Sequence, residues 1–362
     1  MAPGLLMILL LAVSWATCTA FHSIVWLVLV PGVAALLCGV AATATYTVLT
    51  ITAYVVAHLP PFGPGPVEPV GLVLVVVGGL GALAVCSSKV HAQHRARRVR
   101  AAADATRQTV LRPLPPVWAG LEQAAVHTAA DETARIGGDF YDIQPSPHGT
   151  RLVLGDVQGK GLDAVACAAA LVGGFREAAA HERDLVDVAV RMDQRLRRHQ
   201  EYVHALGGDE NERFATAVLV QFPPATATAT ATDRHATTVE LVDCGHLTPL
   251  AVTPDRIRPL AGESALPLGM FELIGARPVG RSLSPAADET LLLYSDGVAE
   301  ARDGNGEFHP LREDLAAALR EDPGLTDPRR LVAHVRSAAA HHAGGRLADD
   351  TTVLAVRRAS TR

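Results

Sequence analysis

Four places in this 362-residue chain set an aspartate beside a glycine, or beside a second aspartate, at the end or start of a short apolar run. They are Gly138-Asp139, Gly155-Asp156, Asp296-Gly297 and Asp349-Asp350. Glycine lets the backbone turn tightly and leaves the neighbouring carboxylate at a sheet edge. Taken singly, an Asp-Gly pair is ordinarily a turn. Taken together, the four are hard oxygen donors that a fold can bring to one spot. Clustered carboxylates repel unless cations neutralise them, and Mg2+ or Mn2+ takes oxygen ligands and water in octahedral geometry.

The elements that must position these acids are short. Apolar, β-branched runs predict strands at Arg151–Gly155, Phe214–Phe222, Val239–Asp243, Thr248–Val252, Thr290–Tyr294 and Thr351–Val356. Longer periodic stretches predict helices at Leu162–His181, Leu185–Tyr202, Leu311–Arg320 and Arg329–His342. Strands adjoin one another more often than they alternate with helices, which predicts largely antiparallel sheets in a mixed α and β domain. The Ala-Thr tract Pro223–Thr238 reads as an exposed loop between two strands.

The N-terminal quarter answers to a different solvent. From Leu5 to Cys86 the one formally charged side chain is Glu68. A bilayer core of ~30 Å needs roughly 20 apolar residues per helix. Runs at Leu5–Ala20, Ile24–Ala41, Thr43–Ala57 and Val70–Ser87, broken by the Pro-rich Pro60–Pro69, predict three or four transmembrane helices. Lys89, Arg95, Arg97, Arg98 and Arg100 follow the last run, whereas Pro60–Pro69 has no Lys or Arg, so the remainder is expected on the cytoplasmic side of a cell membrane. Between Lys89 and Arg112 the Ala- and Arg-rich sequence predicts a helix that Pro113, Pro115 and Pro116 stop. A net charge of −5 gives no basic surface for nucleic acid. The five cysteines lack the spacing of a disulfide framework or a thiolate metal site.

Six motifs in order carry a resemblance: Arg135-Ile-Gly-Gly-Asp-Phe-Tyr-Asp142; Leu154-Gly-Asp-Val-Gln-Gly-Lys-Gly161; Asp243-Cys-Gly-His-Leu-Thr-Pro-Leu250; Leu266-Pro-Leu-Gly269; Tyr294-Ser-Asp-Gly-Val-Ala-Glu300; and Asp349-Asp-Thr-Thr352. From Trp118 to Arg357 the chain resembles the metal-dependent (PPM, protein phosphatase 2C-like) phosphatases, in the bacterial branch of stage II sporulation protein E and the RsbU-type regulators. The resemblance implies an α+β fold, an α-β-β-α sandwich of two antiparallel sheets, here preceded by an α-helical transmembrane bundle. The expected domains are residues 1–88 in the membrane, 89–117 as a helical linker and 118–358 as the phosphatase.

The resemblance also implies two Mn2+ or Mg2+ ions that activate water against phosphoserine or phosphothreonine. Asp156 would bridge both ions. Asp296 and Asp349 would complete one ion's protein ligands, the Val157 carbonyl would bind the other, and Asp139 would orient its waters. Asp156, Asp139 and Asp296 are thus the expected catalytic residues, with Asp349 preferred to Asp350 and Asp142 a supporting or turn residue. The implied partner is a phosphorylated regulatory protein such as an anti-sigma-factor antagonist. The resemblance further implies control by helix movement that assembles the metal site, often upon dimerisation, so that a second copy of the chain is an expected partner.

Two roles stay open. The histidine that many eukaryotic members carry two residues after the bridging aspartate is Gln158 here, a poor proton donor near neutral pH. No arginine aligns with the substrate-phosphate arginine of those members. Arg135 lies nearby, Lys160 sits in a Gly-rich turn, and His246 suits a turn better than substrate contact. Gly159-Lys160-Gly161 is too short for a triphosphate loop. Phe140-Tyr141 after Asp139 departs from the cyclase signature that also begins Gly-Gly-Asp-Phe. The competing class is a membrane-tethered scaffold that keeps the fold with little catalysis.

Overall fold

The computed structural model describes residues 2–16, 23–59, 69–128, 137–207, 213–224, 238–260, 266–286 and 288–359. The chain divides into two compact units, Met1–Ala101 and Ala102–Arg362.

The first unit holds α1 (Ala2–Ala16), a 3-10 turn (Ser23–Val28), α2 (Leu29–Leu37), α3 (Val40–Ala57) and the first part of α4 (Pro69–Val110). Among the described residues two helical segments are long and apolar enough to cross a membrane, Val40–Ala57 and Pro69–Arg95, while α1 and α2 contribute shorter apolar helices. The run read as Ile24–Ala41 is shortened by the 3-10 turn at one end and by the extended Cys38–Gly39 link at the other. Thr43, Thr47, Thr50 and Tyr54 form the buried face of α3. Their spacing of four, three and four residues follows one side of a helix. The hydroxyls of Thr43, Thr47 and Thr50 donate to the carbonyls of Gly39, Thr43 and Tyr46, one turn back, so burying them leaves no donor stranded.

In the second unit β1 (Val117–Trp118), β2 (Leu121–Thr128), β7 (Leu250–Val252), β8 (Ile257–Pro259), β10 (Thr290–Tyr294) and β11 (Thr351–Arg358) form a six-stranded sheet in the order β1-β2-β11-β10-β7-β8. A five-stranded sheet runs β3 (Phe140–Ser146), β4 (Gly149–Val157), β5 (Ala215–Phe222), β6 (Val239–Cys244) and β9 (Gly280–Leu283), each beside the next. Every strand pair is antiparallel.

The strand period of two distributes side chains to opposite faces. Leu152 and Leu154 of β4 join Leu291 and Leu293 of β10 in the core between the sheets. Val153 turns instead to the outer core under α5 (Leu162–His181) and α6 (Leu185–Ala205), which Phe271 of the short α7 (Phe271–Ile274) also joins. Leu292 likewise faces a third core under α9 (Leu311–Glu321) and α10 (Pro328–His342). Each buried aliphatic side chain contributes about 1.5–3 kcal/mol. The result is a helix–sheet–sheet–helix stack.

Five strands were not predicted, and two of them, β1 and β8, are only two and three residues long. β2, β3 and β9 carry Glu, Gln, Asp, Pro or Gly where a strand reading wants branched apolar residues. Of the Ala-Thr tract, residues 225–237 lie outside the described residues; its flanking strands, β5 and β6, pair antiparallel.

Candidate metal centre

The register of each sheet decides where the acids meet. In the five-stranded sheet Phe140 faces Gly155, so Asp139, just before β3, stands beside Asp156 near the end of β4. In the other sheet Tyr294 faces Val353, and the Ser295 amide donates to the Thr352 carbonyl at 2.9 Å. Asp296 then opens the short α8 (Asp296–Ala299) directly after β10, next to the Asp349-Asp350 entry into β11. Gly297 is dictated by this approach, because a Cβ there would sit 2.1 Å from the Asp350 carbonyl oxygen.

One carboxylate oxygen from each of Asp139, Asp156 and Asp296 lies within 4.8 Å of the others. Asp156, Asp296 and Asp349 also line a cavity of about 450 Å3, whose other walls include Gln158, Lys160 and His246. Asp349 stands to one side, with its Oδ2 2.9 Å from Lys160 Nζ. Asp350 turns away from the cavity, is buried, and accepts the Gly137 amide at 3.1 Å. Val157 ends β4 with its carbonyl against Gly138 and is not among the residues lining the cavity. Asp142 is neither at the cavity nor in a turn. It lies within β3, buried, and pairs with Arg176 of α5. Arg135 lies outside the described residues.

Burial and mutual repulsion govern the electrostatics. Loss of water, then the Asp156 charge, holds the Asp139 carboxyl well above the usual range, against hydroxyl donors from Thr352 and Ser295 that pull it down. Burial, then Asp296 and Asp349, raises Asp156 to about 7. Asp296 is raised by burial and by Asp349. Three acids this close and this poorly solvated cannot all ionise without positive charge between them. An all-oxygen, hard-donor set suits Mg2+ or Mn2+ and not a thiolate-seeking metal. The residues fit a divalent cation centre.

Two supporting contacts escaped the sequence reading. Thr352 Oγ1 donates to Asp139 Oδ2 at 2.6 Å, which ties the six-stranded sheet to the acid of the other. Its proton thus committed, Thr352 accepts from His127 Nδ1 at 2.8 Å. His246 is half-buried at the cavity wall, with Nδ1 2.9 Å from Thr216 Oγ1 and Nε2 3.2 Å from the Tyr294 carbonyl oxygen. A carbonyl only accepts, so Nε2 carries the proton and Nδ1 accepts from the threonine. Burial lowers the pKa of this ring to about 4. It is a neutral tie between the two sheets.

A family model of stage II sporulation protein E (SpoIIE) matches residues 146–359, more than half of the chain. The chain belongs to the SpoIIE family. That match begins after Asp139, so the first acid of the cluster is placed by the structure and not by the family model. Solved structures carry the same fold. The RsbU and RsbW domains of a Mycobacterium tuberculosis protein align with a TM-score of 0.52 at 23% identity, over 70% of this chain and 64% of that one. The chain therefore spans under two thirds of that relative's length. The PP2C domain of SiaA from Pseudomonas aeruginosa aligns with a TM-score of 0.53 at 19% identity, over 72% of this chain and 96% of that domain. No curated protein matches the chain. The family match and these neighbours together show a PP2C-like phosphatase fold.

Proposed function

We propose that this chain is a membrane-anchored, metal-dependent phosphatase that hydrolyses phosphoserine or phosphothreonine on a bacterial regulatory protein. The observation that carries the reading is the convergence of Asp139, Asp156 and Asp296 within 4.8 Å beside an open cavity. In this reading Asp156 would hold two ions jointly, Asp296 and Asp349 would complete one ion's protein ligands, the Val157 carbonyl would bind the other and Asp139 would orient its waters. Ions bound there supply Lewis acidity, making water a nucleophile near neutral pH and offsetting charge on phosphoryl oxygens. The chain's own part is to present preset acids in a pocket wide enough for a phosphorylated side chain.

The same reading assigns residues 1–88 to the membrane, 89–117 to a helical linker and 118–358 to the phosphatase, with a second copy of the chain as its regulatory partner. Support for the anchor comes from large apolar side chains left outward in the first unit, among them Leu5, Leu36, Val48, Val70 and Val77. A regulatory phosphoprotein such as an anti-sigma-factor antagonist is the substrate class.

The test is phosphate release by the full chain in detergent, with a serine-phosphorylated regulatory protein and Mn2+ or Mg2+. Turnover is expected to stop with chelator and to fall about a thousandfold in Asp296→Asn, the scale for removing one preset electrostatic group. A folded wild type that releases no phosphate with either metal defeats the reading and leaves a scaffold.

A further inference from the structure

The cavity is lined by three carboxylates, yet the substrate it would take is itself an anion. Among the described residues that line it, the candidates for meeting a phosphate are Lys160 and His246. His246 is neutral and both its ring nitrogens are engaged. Lys160 is the cation.

Its backbone is held and its side chain is not. Gly159 and Gly161 flank it at φ of +94° and +97°, a left-handed geometry that glycine adopts freely. Beneath the turn, Arg213 Nη1 donates to the Gln158 carbonyl at 3.0 Å, and the Gln158 amide donates to the Phe214 carbonyl at 2.9 Å. On the far side the Gly161 carbonyl accepts the Val165 amide of α5. The loop is thereby stitched to β5 and to a helix, so the long lysine stem is the adaptable part.

The ammonium meets Asp349 Oδ2 at 2.9 Å, with the two side chains 35% and 41% exposed. Ion pairs this open are worth little, about 0.2–1 kcal/mol, and exchange readily. Asp349 is also the acid that stands apart from the close trio. A divalent cation held by Asp349 would compete with Lys160 for that carboxylate, and an ammonium displaced from it would need another anion. A phosphate dianion inside the cavity is that anion, and lysine binds phosphate as a mobile point charge.

We propose that Lys160 is a phosphate-binding residue of this site, exchanging its ion pair with Asp349 for the phosphoryl oxygens of the substrate. The proposal rests on the hydrolase reading above. It fills the role for which no arginine aligns.

The experiment uses the full chain in detergent with Mn2+ present and inorganic phosphate as the titrated ligand, read by calorimetry. Alongside it, KM and kcat are measured with para-nitrophenyl phosphate. Lys160→Met should weaken phosphate binding about tenfold, the scale of one hydrogen bond to a charged group, and raise KM more than it lowers kcat. Lys160→Arg, which keeps the charge, should stay within about threefold of wild type. Mn2+ titrated without phosphate should bind Lys160→Met at least as tightly as wild type, because a competitor for Asp349 has gone. Circular dichroism checks each fold, and Lys160→Gln replaces Lys160→Met should the latter not fold. Unchanged phosphate affinity in the uncharged variants overturns the proposal, and so does a loss of Mn2+ affinity that accounts for the whole defect. A wild type that binds phosphate but turns nothing over removes the hydrolase reading alone, since the binding comparison still decides the role of Lys160.

Discussion

Arg151 and Asp156 share strand β4, five residues apart; folding takes the first fully out of water and the second in large part. Their fates differ. The Arg151 guanidinium is fully buried and donates to the carbonyls of Ala179, Glu182 and Arg183 and to Gln221 Oε1. The backbone carbonyls belong to the end of α5 and the link to α6, where helices leave acceptors unsatisfied and favour a cation. Glu240, Asp184 and Glu182 add negative charge around it. Asp156 has the reverse surroundings, burial among further carboxylates. A buried charge matched on the spot is architecture, whereas a buried charge surrounded by its own sign is a site that awaits a counter-ion.

The largest test of that contrast is pH. The Asp156 carboxyl goes from 3.8 to about 7 on folding. Between those values the folded chain keeps a proton that the unfolded chain has lost, so stability falls as pH rises through this window. The full penalty is present above about 7 and is on the order of 4 kcal/mol. In chelator, the denaturation midpoint of wild type should drop from pH 5 to pH 8, and saturating Mn2+ should recover it. Asp156→Asn removes one titrating group and its repulsion of Asp139 and should make the profile in chelator shallower while abolishing turnover. A wild-type midpoint that rises with pH in chelator would show that the acids are matched by charges in the fold itself.

The opposite end of β4 should behave in the opposite sense. Arg151→Met keeps the volume of the stem but leaves several buried oxygens without a donor, and truncating one side of a buried polar set costs about 3 kcal/mol. The expected outcome is a lower urea midpoint at every pH, with Mn2+ affinity of the folded fraction within about twofold of wild type. Were Mn2+ affinity to fall in step with stability, the two ends of the strand would not be separable as frame and site.

How much of this was legible in the sequence divides along the same line. β4, β5, β6, β10 and β11 announce themselves as apolar, branched runs, and the acids at their ends could be picked out because Asp beside Gly at a strand end is a local signal. β3 was hidden by Asp142 and Pro145. Proline is tolerated there because β3 lies at the edge of its sheet. β2, with Glu122, Gln123 and two alanines, reads as no strand at all, yet it pairs over eight residues with β11. That pairing brings His127 opposite Thr352, so the hydrogen bonds that support Asp139 were invisible without it. Residue type located the acids; register, which residue type does not encode, located their support.

Thr352 offers the finest test of whether that support belongs to the frame or to the site. Its hydroxyl gives Asp139 a 2.6 Å hydrogen bond that favours the ionised carboxylate, and Thr352→Val removes the donor while keeping the shape. A frame residue would show its loss in stability. A site residue would show it in metal affinity, because the Asp139 carboxyl would rise further and hold its proton against the cation. The expected result is about tenfold weaker Mn2+ binding by calorimetry near pH 7, smaller at pH 8.5 where protons compete less for the acid, with stability in chelator changed by less than about 1 kcal/mol. Thr352→Ser, which restores the hydroxyl, should recover the metal affinity. If serine fails to do so, or the loss is equal at both pH values, the bond holds the sheets together and does not tune Asp139.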